Sequence, residues 1–148
     1  MTETQWTYEG RIINELSDIP KNYIGFVYLI TNLNTGKSYI GRKQVLSFRR
    51  VKKGKRELAA MTDKRGSKYK SVVKEMKGWQ NYTGSNDALN DEIKNGAPIT
   101  KEILRFCSTK KQLTYYENKA LYCNEVIEKD NYYNGNISSK FFPKDLEK

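Results

Sequence analysis

Glu117 occupies a place where a carboxylate needs a partner. At helical spacing its neighbours are Leu113, Tyr116, Ala120, Leu121 and Asn124, a mostly apolar stripe that a helix turns inward. An inward carboxylate is costly unless it is paired or bound to a metal. Two readings follow: an ion pair with one of the many Lys or Arg side chains, or a hard divalent cation held through water and one or two carboxylates. The chain has no histidine. A Ser-His-Asp triad, a Cys-His dyad and histidine-ligated zinc are therefore excluded. Acid–base chemistry must come from Tyr, Lys, Asp or Glu, or from metal-bound water.

The basic residues are concentrated. The net charge of the 148-residue chain is +10, and the segment from Arg42 to Lys77 holds 14 Lys or Arg against 3 Asp or Glu. The remainder is close to neutral. A solubilising surface intersperses both signs, so a one-signed segment points to a polyanion, whose phosphates release counterions when neutralised. Arg42, Arg50, Lys52, Lys53, Lys55 and Arg56 are the candidate contacts.

The elements that must position these groups are legible in outline. Tyr23–Ile30, TNLNTG and Lys37–Gly41 read as two β-rich pieces around a turn, a hairpin. A loop centred on Leu33 and Asn34 sets Ile30 opposite Lys37 and Tyr28 opposite Tyr39, so both tyrosines share a sheet face; a one-residue slip would separate them. Residues 42–66 show no clear period. From Ser67, the spacing of Tyr69, Val72, Val73 and Met76 predicts a helix ended by Gly78. GWQNYTGS reads as a loop, in which Trp79 and Tyr82 are candidates for core packing or for stacking on bases. Ser85 can cap a short helix carrying Leu89 and Ile93. Ile99–Phe106 reads as a strand, and Thr109 with Gln112 as a capping box that opens a helix running to about Val126. The order β-β-α-α-β-α makes an α+β domain with a small three-stranded antiparallel sheet flanked by helices. Residues 1–22 read as an N-terminal extension, 23–137 as the domain and 138–148 as a tail.

No apolar run reaches the roughly 20 residues of a membrane helix, and the N-terminus has no secretory pattern. Cys107 and Cys123 are too few for a disulfide framework and are expected reduced in the core of a cytoplasmic protein.

Gly25-Phe26-Val27-Tyr28 and Tyr39-Ile40-Gly41, with their tyrosines eleven residues apart, resemble the signature of the GIY-YIG nucleases. The second half matches letter for letter; of the first triplet only the tyrosine survives. Arg49 stands ten residues after Tyr39, where that family carries an arginine. Glu117 lies on a helix after the third strand, and Asn134 follows a tyrosine near the C-terminus. Trp79–Ser85 and Arg42-Lys43 resemble the phage-encoded free-standing branch, for which the compartment would be the host cytoplasm. The resemblance covers roughly residues 23–137.

The resemblance implies a DNA endonuclease that hydrolyses phosphodiester bonds with Mg²⁺, or Mn²⁺ in its place. Tyr28 would help deprotonate the attacking water, Glu117 would hold the metal and Arg49 would neutralise the phosphate, with Arg50 as the alternative. Tyr39 would bind the phosphate or the water, and Asn134 would support the site. The family's frequent histidine is absent, and Lys43 is the candidate to assist in its place. Two other functions compete. Glu117-Asn118-Lys119 matches half of a PD-(D/E)xK nuclease site, which needs that motif on a strand. A non-catalytic nucleic-acid-binding protein would use the basic segment alone. One small active site cuts one strand per encounter, so a double-strand break calls for a homo-oligomer or two visits.

Overall fold

The computed structural model describes residues 4–63 and 65–146. Its centre is a mixed five-stranded sheet. In chain order the strands are β1 (Trp6–Tyr8), β2 (Arg11–Ile13), β3 (Gly25–Asn32), β4 (Ser38–Gln44), β5 (Leu46–Lys52), β6 (Tyr69–Glu75) and β7 (Ile99–Cys107). The helices are α1 (Lys55–Ala59), α2 (Asp87–Lys94) and α3 (Lys110–Cys123). The main sheet runs β2-β1-β7-β3-β4, with β1 parallel to β7 and the other pairs antiparallel; β5 and β6 form a separate ribbon.

The α+β class is as expected, but the sheet is larger than three strands. The two added strands come from residues 6–13, which sequence reasoning leaves in an extension. Trp6 anchors them: it is fully buried against Phe26 and Tyr28, and its indole N–H donates to the Trp79 carbonyl at 2.8 Å. A lone tryptophan between polar residues shows no period, so only its packing reveals it.

Alternation along β3 divides the core. Phe26, Tyr28 and Ile30 face a cluster with Trp6, Trp79 and Leu89; Val27 faces the other way, with Ile40 of β4 and Leu113 and Leu121 of α3. α3 begins as its sequence predicts, the Thr109 hydroxyl accepting from the Gln112 amide at 3.0 Å. It ends earlier, at Cys123. Cys107 is buried, whereas Cys123 is exposed and not in the core.

The hairpin register differs from expectation by two residues. Ile30 pairs with Tyr39, and Tyr28 pairs with Gly41. The turn is displaced towards Gly36, which takes φ +74° and donates its N–H to the Asn32 carbonyl at 2.8 Å. A shift of two preserves every side chain's face, so Tyr28 and Tyr39 remain on one side.

The helix predicted from Ser67 is a strand. Tyr69–Glu75 pairs antiparallel with Leu46–Lys52, Phe48 standing opposite Val73 and Arg49 opposite Val72. Adjacent β-branched valines fit a pleated strand better than a helix, and β5 supplies the backbone partners. Residues 42–66, which show no period in sequence, hold the end of β4, all of β5 and α1.

Candidate active site

β4 is one of the two edge strands of the sheet, and its two faces carry different chemistry. Tyr39, Gly41 and Lys43 point towards Tyr28. Ile40 and Arg42 point towards α3. The Tyr28 and Tyr39 rings lie 6.2 Å apart, centre to centre. Tyr28 is only 1% exposed, and two glycines make room for its hydroxyl. A Cβ on Gly41 would stand 2.4 Å from that oxygen, and one on Gly84, which sits at φ +86°, would stand 3.0 Å from it. The β3–β7 ladder shifts register between Val27 and Tyr28, a bulge that redirects the strand at this point.

The Trp79–Ser85 loop closes this side. Trp79 is core, whereas half-buried Tyr82 packs edge-on to Tyr28 at 6.2 Å. The Lys43 ammonium lies 4.4 Å from the centre of the Tyr82 ring. Ser85, a candidate helix cap in sequence, is displaced from that role by Asn86, whose side chain accepts from the Leu89 amide at 3.0 Å. The Ser85 hydroxyl is left 3.4 Å from that of Tyr39. Sequence reasoning gave neither Tyr82 nor Ser85 a place beside these tyrosines; their nearness to the hairpin is a long-range contact with no local signal.

Glu117 reaches the same edge from the opposite face. Its carboxylate is 3.9 Å from the Arg42 guanidinium, which also donates to the Thr114 hydroxyl at 2.6 Å. The ion-pair reading of Glu117 is thus met in part, by a long contact to a half-exposed arginine. Burial pushes the Glu117 carboxyl above its ordinary range, and Arg42 offsets this by less. Burial drives the Tyr28 phenol far above its usual range, with Tyr39, Tyr82 and then Glu117 adding to the effect. Tyr39 is also raised by burial, opposed by its bond to Ser85. Lys43 is lowered by burial.

Tyr39, Ser85, Glu117 and Asn134 line a cleft of about 350 Å³ together with Asn86 and Ser138. Tyr28 lies one layer beneath it. Asn134 braces the outer edge of β4: its Oδ1 accepts from the Ile40 N–H at 3.0 Å and its Nδ2 donates to the Ile40 carbonyl at 2.8 Å. Beside it, the Ser38 N–H donates to the Asn131 carbonyl and the Tyr133 N–H to the Ser38 carbonyl. The side-chain amide of Asn134 thus stands in for the next strand and holds Tyr39-Ile40-Gly41 straight.

Arg49 does not join this cleft. It is exposed on β5, as is Arg50, whose guanidinium stacks 4.7 Å from the Tyr69 ring. Lys52, Lys53, Lys55 and Arg56 continue along the same arm, with Lys53 half-buried. Arg42, not Arg49, is the arginine beside Glu117. The Glu117-Asn118-Lys119 motif is mid-helix on α3, so the strand that a PD-(D/E)xK site needs is not there.

A single partly desolvated carboxylate in a polar cleft fits a hydrated Mg²⁺, which keeps most of its water and takes one or two protein carboxylates. Among the described residues no cluster of three or more Asp, Glu, Cys or His could cage an ion. The donor set therefore suits an ion shared between protein and a phosphate.

The α+β sheet, with two phenols packed together at its edge strand, is consistent with the GIY-YIG class of nucleases. The chain belongs to the family described as "Putative endonuclease segE, GIY-YIG domain", whose model matches residues 6–137. It is accordingly an endonuclease, a phosphodiester hydrolase, of a family whose members generally depend on divalent metal. No curated protein and no solved structure matches the chain. Among the described residues no helix is long and apolar enough to cross a membrane.

Proposed function

We propose that the chain cleaves DNA with one Mg²⁺, or Mn²⁺, carried by Glu117, and with the Tyr28–Tyr39 pair as the unit that orients the attacking water and takes its proton. The observation that carries this reading is the meeting of Glu117 and Tyr39 in one cleft from opposite faces of β4. When bound, the ion supplies Lewis-acid polarisation of the scissile phosphate and stabilises the departing oxygen.

The chain's own residues do the rest. Tyr39, at the cleft wall, donates its hydroxyl hydrogen to the phosphate or holds the water. Tyr28, as the phenolate left once its own proton has passed to solvent, takes the water's proton through this layer of hydroxyls. Burial, with Tyr39, Tyr82 and Glu117 adding to it, favours the neutral phenol, so the acceptor state calls for positive charge close by, and Lys43, which sits over the adjoining Tyr82 ring, is the candidate. Arg42 places positive charge where the phosphate becomes five-coordinate. Asn134 positions the strand. Arg49 and Arg50, with Lys52, Lys53, Lys55 and Arg56, hold the DNA backbone away from the reacting bond.

Incubation of the purified chain with supercoiled plasmid, with and without Mg²⁺, tests the reading. Metal-dependent conversion to nicked and then linear DNA is expected, and Glu117→Gln should abolish it while leaving binding in place. Cleavage by Glu117→Gln at the wild-type rate would overturn the assignment.

A further inference from the structure

The β5–β6 ribbon is unlike the rest of the domain. None of its strand residues is buried. One face presents Leu46, Phe48, Arg50 and Lys52 on β5 beside Glu75, Val73, Ser71 and Tyr69 on β6; the other presents Ser47, Arg49 and Val51 beside Lys74, Val72 and Lys70. Phe48 and Val73 are paired across the ribbon and are 50% and 54% exposed. An isolated two-stranded ribbon is at best marginal in water, and this one carries an exposed apolar pair with Arg50 on one side and Leu46 opposite Glu75 on the other, on a ribbon whose net charge is positive, the make-up of a surface that meets a partner. A second copy of the ribbon is a poor partner, because each carries Arg49, Arg50, Lys52, Lys70 and Lys74 against Glu75.

We infer that this ribbon inserts into the major groove of duplex DNA, with its Phe48–Val73 face against the base edges. The inference rests on the reading of the chain as a DNA nuclease and specifies how the duplex is held. Charge complementarity selects the partner, and size selects the groove. Two strands spaced about 4.8 Å apart, with their side chains, fit a groove about 12 Å wide and not one about 6 Å wide. Phe48 and Val73 then meet the C5-methyl groups of thymine, the apolar feature of that groove. Arg50, held by the Tyr69 ring, is placed to bond to guanine or to an adjoining phosphate. The lysines at the strand ends reach the backbone on either side. Because β5 follows β4 after one residue, Val45, which is buried and bonds through its N–H to the Ile24 carbonyl at 2.7 Å, the seated ribbon fixes where the scissile strand meets the Glu117 cleft.

The test is binding of a short fluorescent duplex in chelator, where cleavage is off. Three probes are compared: the plain duplex, the same duplex with bulky groups on the C5 of every thymine, and the plain duplex saturated with a minor-groove ligand. The wild-type chain should lose about tenfold or more in affinity on the C5-substituted duplex, as for loss of one to two base contacts, and little with the minor-groove ligand. Phe48→Ser/Val73→Ser should bind both duplexes equally; Arg50→Gln, which leaves the apolar pair in place, should narrow the difference. Equal wild-type affinity for the plain and C5-substituted duplexes would overturn the inference, as would a loss confined to the minor-groove ligand. Glu117→Gln separates the two readings: it should keep the groove preference without cleaving, so a failed preference leaves the catalytic reading standing, and a cleaving Glu117→Gln leaves the groove reading standing.

Discussion

Gly41 stands directly opposite Tyr28 in the β3–β4 ladder, and a Cβ on it would lie 2.4 Å from the Tyr28 hydroxyl oxygen. The last residue of the Tyr-Ile-Gly triplet is therefore a glycine because the first tyrosine of the pair occupies the space its side chain would need. Gly41→Ala must push the Tyr28 ring aside. A stability loss of about 1–3 kcal/mol is expected from overpacking, together with a fall in cleavage rate much larger than the melting shift alone explains. Melting curves and single-turnover rates on this variant check both.

Tyr28→Phe removes a hydroxyl and keeps the packing of the ring. If the pair takes the proton from water, the single-turnover rate should fall by about 10² or more, the ordinary contribution of a general base, with the fold intact. Tyr39→Phe, at the cleft wall, should fall comparably and also weaken binding of the scissile phosphate. A rate within a few-fold of wild type in Tyr28→Phe would remove that residue from the mechanism and leave Lys43 to be tested by Lys43→Met.

Glu117 gives a prediction that needs no substrate. Its folded pKa is raised, mainly by burial, so folding prefers the protonated carboxyl. The stability this adds is fully present below the unfolded carboxylate value and is lost as pH rises through the folded value. In metal-free buffer, Glu117→Gln should therefore melt higher than wild type at neutral pH, and the advantage should shrink as pH falls through the carboxylate range. Saturating Mg²⁺ should raise the wild-type Tm, by about 2.7 kcal/mol of stability at a hundredfold excess over Kd, and leave the Gln variant unmoved. A Gln variant that still gains Tm from Mg²⁺ would place the ion elsewhere.

The basic arm predicts a salt law. Affinity for duplex DNA should fall linearly with the logarithm of salt concentration, at about −0.9 per phosphate neutralised. Lys52→Ala/Lys53→Ala should flatten the slope equally on all sequences. Titrations at several salt concentrations measure it, and an affinity indifferent to salt would make the charge a solvated face only.

Much of the site was legible before any coordinates, because parity and period are local. Period-2 alternation placed Tyr28 and Tyr39 on one face, and that inference withstood a register shift of two. The stripe around Glu117 turned it inward because a helix repeats every 3.6 residues whatever it packs on. Thr109 capped that helix as its type requires. The candidates that moved did so through partners far along the chain. Arg49 and Arg42 are both basic and both close to the triplet; only the direction of β4, which turns Arg42 onto α3, separates them.

By itself the sequence determined the hairpin, the inward glutamate, the one-signed arm and, through the resemblance its two tyrosine triplets carry, the nuclease family. The tertiary structure alone decided that Trp6 brings two further strands into the sheet, that Tyr69–Glu75 extends beside β5 instead of coiling, that Asn134 substitutes for a missing strand at Ile40, and that Tyr82 and Ser85 complete the tyrosine layer. The physical reason is the same in each case. Caps and periodicities are interactions between near neighbours and leave a pattern in the chain. Strand pairing and edge closure depend on which distant backbone arrives to accept the hydrogen bond, and a short run such as Tyr69–Met76 satisfies either period until that partner is present.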